Sequence, residues 1–353
     1  METILITGNL GYIGMLLTEE LLSEDFQIIG VDSGFYIDNQ LYKINSSREF
    51  LQLKKDIRDI NLSDLNGVDS IIHLAALVND PLCELNPEIT NKINYLSTVR
   101  LAKLAKKSGV SKFLFSSSCS MYGEADGGNS KNLKDNNLIF DENSPMNPLS
   151  EYAKSKINVE RDLSKLADDK FSPVYLRNTT AYGLSPNIRF DIVVNNLMGW
   201  AYTTKEIKIL SDGKAWRPIV HVRDICNAFI AVLKSPRDLI HNEAFNVGIN
   251  SENFQVKDIA NEIQKMMKDC EIKILGKDNP DPRNYIVNFD KIKNTLKLFN
   301  PKWNLRKGIK ELLDFFDKIN LKYEQFQDKN FTRIRQLKYL LENRLINVNL
   351  EWL

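Results

Sequence analysis

Thr3-Ile4-Leu5-Ile6-Thr7-Gly8-Asn9-Leu10-Gly11-Tyr12-Ile13-Gly14 decides the fold. A short apolar run, read as a strand over 3–7, meets glycines spaced G-x-x-G-x-x-G that open a helix. Small residues at such a turn let the backbone approach a pyrophosphate at the positive end of the helix. The same glycines also suit an ordinary glycine-rich βα turn. Asp32 closes the next candidate strand, 27–31, about 20 residues on, where a carboxylate can hold ribose hydroxyls and repel a 2′-phosphate. That favours NAD over NADP, the plain alternative being a strand-end turn aspartate.

Outward from this turn, short apolar runs at 70–74, 112–116 and 173–176 alternate with segments of helical period at 95–107 and 151–166. Strands separated by helices imply βαβ units and a doubly wound parallel sheet. Two later runs, 216–222 and 243–248, read as buried strands that return to the first domain. The expected organisation is a dinucleotide-binding α/β domain over 1–178 with returning segments at about 214–250. A smaller α/β lobe would take 179–213 and 251–320, and a tail 321–353 would carry an amphipathic helix around 331–345. The tail helix is expected to dock on its own subunit or on a partner. Residues 123–147, rich in Gly, Asn and Asp, read as a long surface loop.

Asp56 and Ile57 follow a third short run, and Leu74-Ala75-Ala76 ends the fourth, so these are candidate cofactor walls. His73 reads as a packed strand-end histidine. Ser116-Ser117-Ser118 ends the fifth run, where hydroxyls serve turns or substrates alike. Downstream, Tyr152 and Lys156 stand four apart and share one helix face. An ammonium beside a phenol lowers the phenol's pKa from about 10 toward the working range of an acid/base catalyst.

Composition narrows the classes. The chain of 353 residues carries 47 Lys+Arg against 46 Asp+Glu, a formal charge of +1, so no global field draws it to nucleic acid or membrane. No apolar run approaches the roughly 20 residues needed to span a bilayer. The N-terminus shows no basic leader, and the four cysteines lack metal-ligand spacing, so no metal is expected and the cytoplasm is the expected compartment.

Together these residues resemble the extended short-chain dehydrogenase/reductase family, in its nucleotide-sugar epimerase/dehydratase branch, over about residues 3–320. The resemblance implies bound NAD held by Gly8, Gly11, Tyr12, Ile13, Gly14, Asp32, Asp56, Ile57, Leu74, Ala75, Ala76, Tyr152 and Lys156. It implies Ser118 as the catalytic hydroxyl, Tyr152 as acid/base, Lys156 as its electrostatic partner and a ribose ligand, and Asn94 as a supporting residue. Arg217 and Arg283 would grip a substrate diphosphate, with Asn196 reaching phosphate and sugar. Thr180 stands where the family often has Asn, and Arg189 and Asp191 fall near the expected sugar pocket. With Asn79-Asp80-Pro81-Leu82-Cys83 they suggest a modified sugar; Cys83 itself reads as packing.

Dehydratases of the branch place Asp-Glu after the catalytic hydroxyl; here Cys119 and Ser120 stand there. Enzymes that epimerise C3 and C5 pair a Cys with a His; Ser120 takes the Cys position, and no His lies near Ile192 for the partner. The reading is therefore an NAD-dependent nucleotide-sugar 4-epimerase. A 4-dehydrogenase or 4-ketoreductase on the same substrate class remains open, and a non-catalytic NAD(H)-binding regulator is the remote alternative. The resemblance further implies that the helical segments at 95–107 and 151–166 pair across a two-fold axis as a four-helix bundle, making a homodimer.

Overall fold

Side chains of an extended strand alternate between faces, and β1 (Glu2–Thr7) uses this to feed two cores at once. Ile4 and Ile6 bury on one face of the sheet and Leu5 on the other. The computed structural model describes every residue except 39, 44–49, 79–82, 84–85, 124–138 and 277–282. The strands that follow are β2 (Phe26–Asp32), β3 (Leu51–Lys54), β4 (Ser70–His73), β5 (Lys112–Ser118), β6 (Ile139–Phe140), β7 (Ser172–Asn178), β8 (Thr180–Tyr182) and β9 (Glu206–Ile209). Then come β10 (Trp216–His221), β11 (Ala244–Val247), β12 (Asn253–Gln255), β13 (Glu271–Ile274) and β14 (Ile286–Val287). The longer helices are α1 (Tyr12–Leu22), α2 (Ser97–Ser108), α3 (Glu151–Ser164), α4 (Val193–Thr204), α5 (Val222–Lys234), α6 (Val256–Met266), α7 (Leu305–Ile319) and α8 (Arg333–Glu342).

Seven strands form one parallel sheet in the order β3-β2-β1-β4-β5-β7-β11. The order reverses between β1 and β4, and such a switch point opens a crevice at the carboxyl ends of the strands. Helices cover both faces: α1 and α5 pack on the face of Ile4, Ile6, Leu114 and Phe245. Helices α2 and α3 cover the face of Leu5, Ile71, Phe113 and Phe115. The doubly wound expectation holds.

The two later runs separate. Residues of β11 join the main sheet beside β7, whereas β10 pairs with β8 and β12 in a three-stranded sheet. Periodicity cannot distinguish these cases, because both runs are buried and differ only in their neighbours. A third apolar cluster, with Phe190, Met198, Ile219, Ile259, Leu312 and Phe316, lies under α4, α6 and α7. The tail docks on its own chain: Leu337, Leu340, Ile346 and Leu350 bury beside Leu5 and Val31. Its helix is shorter than the expected 331–345. No helix among the described residues is long and apolar enough to cross a membrane. Residues 79–82, and 124–138 of the expected surface loop, lie outside the described residues.

His73 is packed, as its position suggested. Its ring lies between the Thr7 and Thr98 hydroxyls at 2.7 and 2.8 Å, and burial pushes its pKa down to about 3. A neutral buried imidazole resists charging, so its stabilising effect is present above pH ~6.5 and is lost as pH falls toward 3. The urea midpoint should therefore decline through this window, and His73→Gln should flatten the decline; an unchanged pH slope would contradict the assignment.

Candidate active site

The glycine turn is made by close approach. Gly8 has φ +73°, and a Cβ there would lie 2.7 Å from the Ala75 nitrogen. A Cβ on Gly14 would come within 2.1 Å of the Gly8 carbonyl oxygen. Gly11 caps α1 with no side-chain bond to the first-turn amides, and no acidic residue stands in that turn. The helix thus presents unneutralised N–H groups to the crevice. Asp32 ends β2 beside this turn and accepts from the Leu10 and Gly34 backbone N–H groups at 3.2 and 2.8 Å. Burial pushes its carboxyl up against these two bonds. Behind the turn, Asn187 donates to the carbonyls of Leu10 and Tyr36, and Tyr12 donates its hydroxyl to the Gly183 carbonyl.

The opposite wall comes from β5 and α3. Ser118 ends β5 and accepts from the Ser120 N–H at 3.1 Å, capping the short turn Cys119–Tyr122. Ser150 caps α3, accepting from the Ala153 N–H. Tyr152, Lys156 and Glu160 then follow at i, i+4 and i+8 on one face. Lys156 is 3 % exposed; its ammonium donates to the Ser116 carbonyl at 2.7 Å and lies 5.3 Å from the centre of the Tyr152 ring. Burial lowers its pKa to about 8. Glu160 accepts from the Ser117 hydroxyl and forms a buried ion pair with Arg177, which also reaches Tyr122. This network braces the serine run from beneath.

One cleft of about 590 Å³ joins these walls. Gly8, Gly11, Tyr12, Ile13, Gly14, Asp32, Asp56, Ile57, Leu74, Ala75, Ala76, Ser118, Tyr152 and Lys156 line it, as do Thr180, Arg189, Asp191, Asn196, Arg217 and Arg283. Asn94 does not. It sits in the widened turn Asn91–Leu96 and binds both the N–H and the carbonyl of Leu77, so it shapes the chain that leaves β4. Of the neighbouring amides, Asn196 lines the cleft, whereas the fully buried Asn195 binds the Gly183 and Arg189 backbone. Arg217 donates to the carbonyls of Trp216 and Arg283, which joins the two arginines.

Arg189 and Asp191 form an ion pair at 2.8 Å in the cleft wall, with Tyr12, Tyr36 and Arg333 among their electrostatic neighbours. Each neutralises the other, with Asp191 held below the usual carboxylate range despite burial. Ser120, Tyr36, Asn178 and Arg333 are among the cleft residues not foreseen as ligands. Asn178 ends β7 and donates to the Ser116 hydroxyl, a role that alternation alone does not reveal.

Buried side-chain atoms without a hydrogen-bond partner point to where polar ligand atoms belong. Among the described residues these are Ser120 Oγ, Asn178 Oδ1, Arg333 Nη1 and Gln336 Oε1, and the first three belong to cleft residues. The residues present therefore fit a dinucleotide together with a polar substrate.

A switch-point crevice with a glycine turn, a strand-end carboxylate and a Tyr-Lys helix defines an NAD-dependent enzyme of the extended short-chain dehydrogenase/reductase type. The chain belongs to the NAD dependent epimerase/dehydratase family, whose pattern its residues 4–248 match. It is 25% identical over 328 residues to the UDP-glucuronate 4-epimerase of Thermodesulfobacterium geofontis, covering 88% of this chain and 95% of that protein. It is likewise 25% identical over 277 residues to the human dTDP-D-glucose 4,6-dehydratase, covering 76% and 75%. Among solved structures, MoeE5 in complex with UDP-glucose and NAD superimposes with a TM-score of 0.74 at 25% identity, covering 90% of this chain and 100% of that one.

The glycine turn yields a test. In Gly14→Ala the added methyl must displace the Gly8 carbonyl, a strain of about 1–3 kcal/mol. Dinucleotide released from the denatured protein should drop roughly tenfold or more, and parent-level release would refute the close approach.

Proposed function

We propose that the chain is a nucleotide-sugar 4-epimerase that works through a transient 4-keto sugar. The carrying observation is the position after Ser118. Cys119 is fully buried, donates to the Arg177 carbonyl and has its thiol pKa pushed well up by burial, so it is turned from the cleft chemistry. Ser120 offers only a hydroxyl. Elimination of water needs a further acid and base, and this position supplies neither. Turnover of a ketone needs none.

In this reading Tyr152, with the Lys156 ammonium beside its ring, takes the proton of the sugar C4 hydroxyl. The Ser118 hydroxyl donates to the same oxygen and holds it as the carbonyl forms. A bound nicotinamide dinucleotide supplies hydride acceptance and return. Tyr152 gives the proton back after the ketone has presented its other face. Arg217 and Arg283 hold the substrate diphosphate, where guanidinium forks match phosphate oxygens. The names of the relatives favour a UDP-sugar, and Asp32 favours NAD over NADP.

A panel of nucleotide sugars led by UDP-glucose and UDP-glucuronate, with no cofactor added, tests this. Redox-neutral conversion to the C4 isomer is expected, and Tyr152→Phe should cut its rate by roughly 10²–10⁴. A keto product with accumulating NADH, activity that requires added reduced cofactor, or near-parent turnover in the variant would overturn the reading.

We also propose that the chain pairs with a second copy through α2 and α3. Tyr95, Leu96, Val99 and Lys103 line a shallow surface depression there, and Leu96 is half exposed. Light scattering at micromolar concentration should return twice the chain mass; a monomer would dismiss the proposal.

A further inference from the structure

The C-terminal strap reaches the dinucleotide end of the cleft. After α8 the chain runs back along the β1–β2 side, where the Trp352 indole donates to the Ser33 carbonyl at 2.6 Å. Gln336 donates to the Phe35 carbonyl, and Arg58 grips the carbonyls of Asn349 and Leu350. The strap thus clasps 33–36, the segment that leaves Asp32.

Arg333 opens α8 and is 2 % exposed, yet it lines the cleft. Its Nη2 donates to the carbonyl and the Oδ1 of Asn187, at 3.1 and 2.8 Å. Asn187 in turn donates to the Leu10 carbonyl in the glycine turn, so one side chain separates Arg333 from that turn. Its guanidinium carbon lies 4.4 Å from the centre of the Tyr36 ring. Nη1 has no hydrogen-bond partner. A purely structural anchor would satisfy a buried guanidinium, since an unmade bond to a charged donor is costly. Burial, then the nearby Arg189, lower its pKa to about 10, which leaves it charged at neutral pH.

We propose that Arg333, carried by the strap, supplies a cationic contact to the diphosphate of the bound dinucleotide. This rests on the cofactor site being where the glycine turn puts it. The diphosphate is the ligand group of matching charge beside that turn, where the uncapped amides of α1 also lie. A 2′-phosphate would instead have to sit beside the Asp32 carboxylate. Cofactor retention is then a property of the tail as well as of the sheet.

Calorimetric titration of the full-length chain, freed of nucleotide, with NAD⁺, NADP⁺, ADP-ribose and adenosine tests this. Arg333→Met should weaken NAD⁺ and ADP-ribose alike by about 10–100-fold and leave adenosine within about twofold. Arg333→Lys, which keeps the charge but loses the fork, should fall between; it decides the matter if the Met variant does not fold. Unchanged ADP-ribose affinity overturns the proposal. So does an equal loss for adenosine, which would mean that the strap only shapes the base site. A loss confined to NADP⁺ would mark a 2′-phosphate reader and overturn it too. A parent that binds no dinucleotide would instead sink the cofactor site itself.

Discussion

Everything in this molecule hangs on the close approach of the first turn to the end of β4. Gly8 takes a left-handed backbone and lies against the Ala75 amide, leaving no space for a side chain. That contact lets β1 sit between β2 and β4 while its chain turns sharply into α1. The crevice at the switch point, the free amides of α1 and the position of Asp32 beside them all follow. A bulkier turn would push α1 outward and fill the space that a pyrophosphate needs.

The second half of the site depends on a different device. Tyr152 and Lys156 ride on α3, and Ser118 ends β5; nothing local relates the two. Glu160, one turn beyond Lys156, joins them by accepting from Ser117 and by pairing with Arg177 of β7. Arg177 continues to Tyr122, whose hydroxyl donates to Asn246 of β11. A buried pair of this kind adds little net stability, because desolvation offsets attraction, but breaking it leaves an uncompensated charge. Its effect is to hold helix, strands and serine turn in one arrangement.

The tail brings to the glycine turn a segment that lies beyond the residues matching the family pattern. Arg333, Tyr36 and Asn187 stack and hydrogen-bond into a unit that ties the strap, the glycine turn and the segment after Asp32 together. The Arg189–Asp191 pair counts Tyr36 and Arg333 among its electrostatic neighbours.

The glycine spacing, the aspartate about 20 residues on and the Tyr-Lys spacing were legible in the sequence, because each reflects a local rule. A turn needs glycine, a strand end places a carboxylate, and residues four apart share a helix face. The parallel sheet was legible too, since its strands are buried on both faces and alternate with helices. What only the tertiary structure decided is which distant segments meet. Whether β10 or β11 joins the main sheet, and that Arg333 is joined to the glycine turn through Asn187, depend on contacts across long separations. No local pattern carries those, because burial by a neighbour leaves the same mark on the sequence whichever neighbour it is.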